Sequence, residues 1–147
     1  MAALEFIGVE SRTTATNPET LIQIITATNQ RCLVHAISVQ PQGSTAAVAP
    51  WEFDLLVQTT AGTSGSAVTF IKSYPQAAES LQTTGAKTFT AEPAASNVIH
   101  SFSTHPQSPF LWRPPRGPLV IPGNTRVGLR FNSATSSAVK FCIYLEE

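Results

Sequence analysis

Apolar and polar residues alternate along this chain in short runs closed by Pro, Gly, Asn or Ser. A period of two is what a strand with one buried face shows. The clearest run places Val139, Phe141, Ile143 and Leu145 on one face and Lys140, Cys142, Tyr144 and Glu146 on the other. Residues 51–59 repeat the pattern, with Phe53, Leu55 and Val57 against Glu52, Asp54 and Gln58. Further strands are predicted at 4–9, 21–27, 32–39, 68–73, 97–103, 119–121 and 126–131. In 32–39, Leu33, Ile37 and Val39 alternate with Val34, Ala36 and Ser38. Asn29-Gln30 reads as a tight turn that makes 21–27 and 32–39 a hairpin. Residues 132–137 read as a second hairpin loop, joining the last two strands. Pro41-Gln42-Gly43-Ser44 ends the third strand.

Helical periodicity is nearly absent, and its best candidate is 76–81, about a turn and a half. Residues 60–66 read as a flexible loop, and 74–95 as irregular with 88–90 extended. The 105–123 segment has six prolines and the cluster Phe110-Leu111-Trp112. Proline removes ladder donors, so this segment reads as an extended edge crossing with a short strand at 119–121. About eight short strands with long connections predict an all-β fold, a jelly-roll-like β-sandwich. The 74–96 connection is too long for a simple meander barrel. The 147 residues fit a single domain, 1–147, with 1–20 available as an N-terminal arm.

Composition narrows the function. Only 12% of residues are charged, about half the usual share, and Thr, Ser, Ala, Pro and Gln fill the gap. Such a surface is weakly hydrated and suits a protein packed against others. Net charge is zero and the basic residues are scattered, so the expectation is no nucleic-acid partner. No basic amphipathic helix or ~20-residue apolar span is found, so no membrane partner is expected either. The first residues lack the basic start of a signal peptide, which points to synthesis in a cytosol. There the default for Cys32 and Cys142 is two free thiols, the other reading being a staple between an early and a late strand.

Candidate chemistry is sparse. Glu52 and Asp54 form an i, i+2 carboxylate pair, which a glycosidase could use; more commonly such a pair is a solvated strand face. His35, His100 and His105 have no metal-ligand spacing, and Cys32 and His35 point to opposite faces of a strand. The expectation is therefore no catalytic residue, no metal and no cofactor. Trp51, Trp112, Tyr74 and Tyr144 could stack on sugars, or could pack in a core or interface. The stretch Trp112-Arg113-Pro114-Pro115-Arg116-Gly117 joins an aromatic anchor to two arginines on a pre-extended backbone. Trp and Arg are the types enriched at interface hot spots. The expected interface residues are Phe110, Trp112, Arg113, Arg116 and Trp51.

The pattern Pro109-Phe110-Leu111-Trp112, Leu119-Val120-Ile121-Pro122-Gly123-Asn124, Val127-Gly128-Leu129-Arg130 and Val139–Glu147 resembles small β-sandwich proteins of tailed-bacteriophage virions, especially head decoration (cement) proteins. The strands around Leu21-Ile22-Gln23-Ile24 and Val34–Val39 fit the same layout. The resemblance implies a jelly-roll subunit, commonly a homotrimer, that sits on the capsid surface of the virion and clamps neighbouring major capsid proteins. It implies assembly in the host cytoplasm and no catalytic residues. The other readings are a sugar- or receptor-binding domain of a tail fibre or lectin, another structural virion component, and, most distantly, an enzyme using Glu52 and Asp54.

Overall fold

The computed structural model describes residues 4–14, 18–42, 49–133 and 136–147. The expected arm at 1–3 and 15–17, the Gly43-Ser44 turn and loop residues 134–135 lie outside them. No described residue is helical. The strands are β1 (Glu5–Thr13), β2 (Glu19–Ile25), β3 (Cys32–Pro41), β4 (Trp51–Gln58), β5 (Thr63–Ala67), β6 (Phe70–Lys72), β7 (Thr84–Ala91), β8 (Ala95–Thr104), β9 (Phe110–Trp112), β10 (Leu119–Ile121), β11 (Arg126–Phe131) and β12 (Ala138–Glu146).

They form two antiparallel sheets packed as a sandwich. Sheet A runs β10-β3-β12-β1-β6, and β9 joins β10 along the free edge of β3. Sheet B runs β5-β7-β2-β11-β4-β8. Alternation decides which side of each strand faces the other sheet. Phe6, Val34, Ile37, Val39, Phe141, Ile143 and Leu145 from sheet A meet Ile22, Ile24, Phe53, Leu55, Val127, Leu129 and Phe131 from sheet B in one buried cluster. Burying each such large side chain contributes about 1.5–3 kcal/mol.

Several expectations are corrected. The two hairpins are arches instead: β2 and β11 lie in sheet B, while β3 and β12 lie in sheet A. A turn fixes where the chain reverses but not whether it returns to the same sheet. Residues 5–13 are no arm, because β1 is an inner strand between β12 and β6. Residues 76–81 form no helix, and their apolar content is only Leu81 and two alanines. The 60–66 loop and the 84–91 stretch pair with each other as β5 and β7. Their Thr, Ser, Gly and Ala content carries no apolar alternation to reveal them. In β3 the faces follow a bulge: Leu145 pairs with Val34 and Tyr144 with Ala36, so His35 is the extra residue. The bulge resets the alternation, and Val34, Ile37 and Val39 all point inward.

Aromatic rings close both open sides of the sandwich. On one side, the Phe70 ring lies over Gly8 and Gly85, where added Cβ atoms would come within 2.9 and 2.8 Å of it. Phe6 packs edge-on against that ring at 5.2 Å. On the other side, Phe102 of β8 stacks on Phe53 at 5.2 Å and on Phe110 of β9 at 5.3 Å. His100 stacks on Trp112 at 4.9 Å. This seam joins the edge of sheet B to the edge of sheet A.

The centre of the outer face of sheet B is covered by its own chain, while Glu52, Ser101 and Ser103 toward its β8 edge stay exposed. Leu56, Gln23 and Gln58 point away from the core, yet they are buried. The links 59–62 and 92–94 hold each other through Thr59 N–H donating to Ala94 O and Ala94 N–H to Thr60 Oγ1. Beneath them Gln23 Nε2 donates to Gln58 Oε1 at 2.8 Å and to Thr60 O at 3.0 Å, and Gln58 Nε2 donates to Thr20 Oγ1 at 3.0 Å. A buried amide stripped of its partner costs about 1–3 kcal/mol, whereas removing both partners together costs less. Urea denaturation should therefore show Gln58→Leu destabilised by about 1–3 kcal/mol, and the Gln23→Leu/Gln58→Leu double variant recovering part of that loss. A double variant as unstable as the sum of the singles would contradict the paired-amide account.

Candidate interaction face

On sheet A the described residues leave large apolar side chains of the outer face exposed. Outward residues come from β12 as Lys140, Cys142, Tyr144 and Glu146, and the register sets their neighbours. Tyr144 lies between Ile7 and Ala36, and Ile71 lies beyond Ile7. Cys142 lies between Val9 and Ser38, with Leu111 beyond Ser38. Glu146 lies between Glu5 and Leu33, with Val120 beyond Leu33. Ile71, Leu111 and Val120 are 58%, 52% and 52% exposed, and Val9 and Tyr144 about 40%. Apolar side chains from five strands thus share one solvent-facing surface. Large exposed apolar patches of this kind mark interaction sites.

A cleft of about 500 Å³ crosses the face, with Ile7, Ala36, Tyr144 and Leu111 among its lining residues and Glu5, His35, Ser73 and Arg113 adding polar groups. The His35 bulge brings its Nε2 to 2.6 Å from Glu146 Oε2. This pair joins residues far apart in sequence, and nothing in the alternation pattern announces it.

The expected interface residues divide. Trp51 is corrected outright: it is 2% exposed and packs against Phe53 and Phe131, so it offers no surface. Phe110 and Trp112 turn inward and are partly buried in the seam against Phe102 and His100. Their strand alternation leaves Leu111 as the exposed member. Arg113 borders the cleft, and Arg116 is exposed in the link between β9 and β10. Of the four sugar-stacking candidates, only Tyr74 and Tyr144 present an exposed ring. The face itself was missed because its residues are spread over five strands. The available signal was an outward set in β12 containing Cys142 and Tyr144.

The candidate chemical groups are held in structural contacts. Asp54 accepts hydrogen bonds from Ser101, Asn132 and Arg130. Partial burial pushes its carboxyl up, but those three hydrogen bonds and the Arg130 charge outweigh burial and hold it below the usual carboxylate range. Glu52 is exposed. His105 Nδ1 accepts from Gln107 N–H. Cys32 pairs with Ile121 and Cys142 with Ser38, about 20 Å apart along β3, and both thiols are free. Burial pushes the Cys32 thiol up to about 12. No group of three His, Cys, Asp or Glu side chains among the described residues could hold a metal ion. Compared with protein-family models, with characterised proteins and with solved structures, the chain matches none.

A carboxylate whose pKa is lowered by folding adds stability above its unfolded value, and that stability is lost as pH falls through the folded value. Thermal melts of the native chain should lose stability as pH drops below about 4, the ordinary aspartate value. Asp54→Asn should be less stable at neutral pH and show a shallower acid loss. Identical acid profiles for the two proteins would remove Asp54 from the account.

Proposed function

We propose that this chain is a jelly-roll structural virion protein that decorates an icosahedral phage capsid and stabilises it by clamping neighbouring major capsid proteins. The observation that carries the reading is the apolar outer face of sheet A, on which Val9, Ile71, Leu111, Val120 and Tyr144 are exposed among the described residues. The strand order supports the jelly-roll form. Setting β5, β6 and β7 aside as an insertion, the chain changes sheet at every remaining step except β4 to β8 and the interrupted edge β9–β10. That wrapping fits the double Greek key expected of a jelly roll.

A clamp works by many modest contacts summed over copies, so avidity replaces individual affinity. The 113–118 link suits one such contact. It leaves the sheet edge between β9 and β10 and carries Arg113 and Arg116 on a backbone stiffened by three prolines. Arginine forks match carboxylates on a partner, and a stiff backbone loses little entropy on binding. A low-charge Thr, Ser and Gln surface elsewhere avoids desolvating ions at the contacts.

Co-sedimentation with isolated phage heads tests the proposal. The native chain should pellet with expanded capsids at a fixed ratio to the major capsid protein. The Arg113→Glu/Arg116→Glu variant should bind at least about tenfold more weakly, the scale of a lost hot-spot pair. A folded native chain that stays in the supernatant across capsids of several tailed phages would contradict it.

A further inference from the structure

The middle strand of sheet A presents base, apolar, apolar, acid in order: Lys140, Cys142, Tyr144, Glu146. This order is complementary to itself when reversed. Laid antiparallel over a second copy, Glu146 meets Lys140 of the partner at both ends, and Tyr144 meets Cys142 at the centre. Laid parallel, Lys140 would meet Lys140 and Glu146 would meet Glu146. Opposite charges across a contact favour pairing, and like charges oppose it.

We infer that the outer face of sheet A packs against the same face of a second copy of this chain, strands reversed, about a two-fold axis. A two-fold contact needs only one self-complementary patch, whereas a ring needs two different patches that fit each other. Six of the eight large hydrophobics exposed among the described residues lie on this face or, for Tyr74, just past its β6 edge, leaving only Val98 and Ile99 elsewhere. The face spans about 19 Å across five strands and about 20 Å along them at ordinary strand spacings. With side-chain relief that reaches the small end of specific interfaces, ~1,000 Å² in total. The pairing differs from the trimer that the resemblance implies. It takes up the face on which the proposed function also rests and leaves the Arg113–Arg116 link as the capsid contact; the mass of the chain alone tests the pairing, and capsid co-sedimentation tests the function.

Light scattering over a concentration series tests it. The expected mass is twice the 15.7 kDa of one chain. A mass of one or three chains at every concentration would overturn the inference. Tyr144→Glu places an acid at the centre and should leave a folded monomer. Val9→Lys, on the neighbouring strand of the same face, should do likewise and covers the case in which the first variant fails to fold. Lys140→Glu alone should weaken the dimer at least tenfold. The exchange Lys140→Glu/Glu146→Lys restores opposite charges at both ends and should recover most of that loss. An exchange variant as weak as Lys140→Glu, or a dimer indifferent to Tyr144→Glu and Val9→Lys, would overturn the reversed packing.

Discussion

A β-strand has two sides, and a two-layer sandwich can bury only one of them. This chain nevertheless places apolar residues on both sides of sheet A. The inner set, Phe141, Ile143 and Leu145 with their neighbours, closes the core against sheet B. In the outer set, Tyr144, Val9 and Leu111 are exposed and Cys142 and Ile7 partly exposed among the described residues. Sheet B meets the same constraint differently. Its outer Leu56, Gln23 and Gln58 are sealed under crossing links, and the amides are hydrogen-bonded to each other and to those links. The centre of one outer face is covered by the chain itself, and the other leaves large apolar residues exposed among the described residues.

The rest of the architecture keeps the uncovered face in place. β12, at its centre, is held by β3 on one side and β1 on the other over nearly its whole length. The Phe70 closure and the Phe102–Phe110–Trp112 seam pack the two sheets together at their lateral edges. The aromatic cluster that looked most like a binding anchor is therefore used to close the sandwich. A preorganised face loses little entropy when it binds.

Much of the strand content was legible in the sequence. The alternation in 139–145 and in 53–57 assigns inward and outward side chains as the structure has them. The free thiols also follow the default reading. Sheet partners were not legible, because Asn29-Gln30 marks a reversal equally for a hairpin or an arch. β5 and β7 were hidden by Thr, Ser and Gly, and the faces of β3 were shifted by the His35 bulge. Trp51 was misread because residue type alone cannot separate a core anchor from a surface one. The interaction face is a product of register, so it became visible only when five strands were set side by side.

Both the proposed function and the proposed pairing have the protein act by burying the outer face of sheet A. Cys142 reports on it directly, since its free thiol lies partly exposed at the centre of that face, while Cys32 is sealed in the core. The measurement is the maleimide alkylation rate of Cys142 as the concentration of native chain is raised. Labelling should be rapid in dilute solution and strongly suppressed at high concentration, with no reaction at Cys32 throughout. A Cys142 rate that stays constant across the whole concentration range would contradict it.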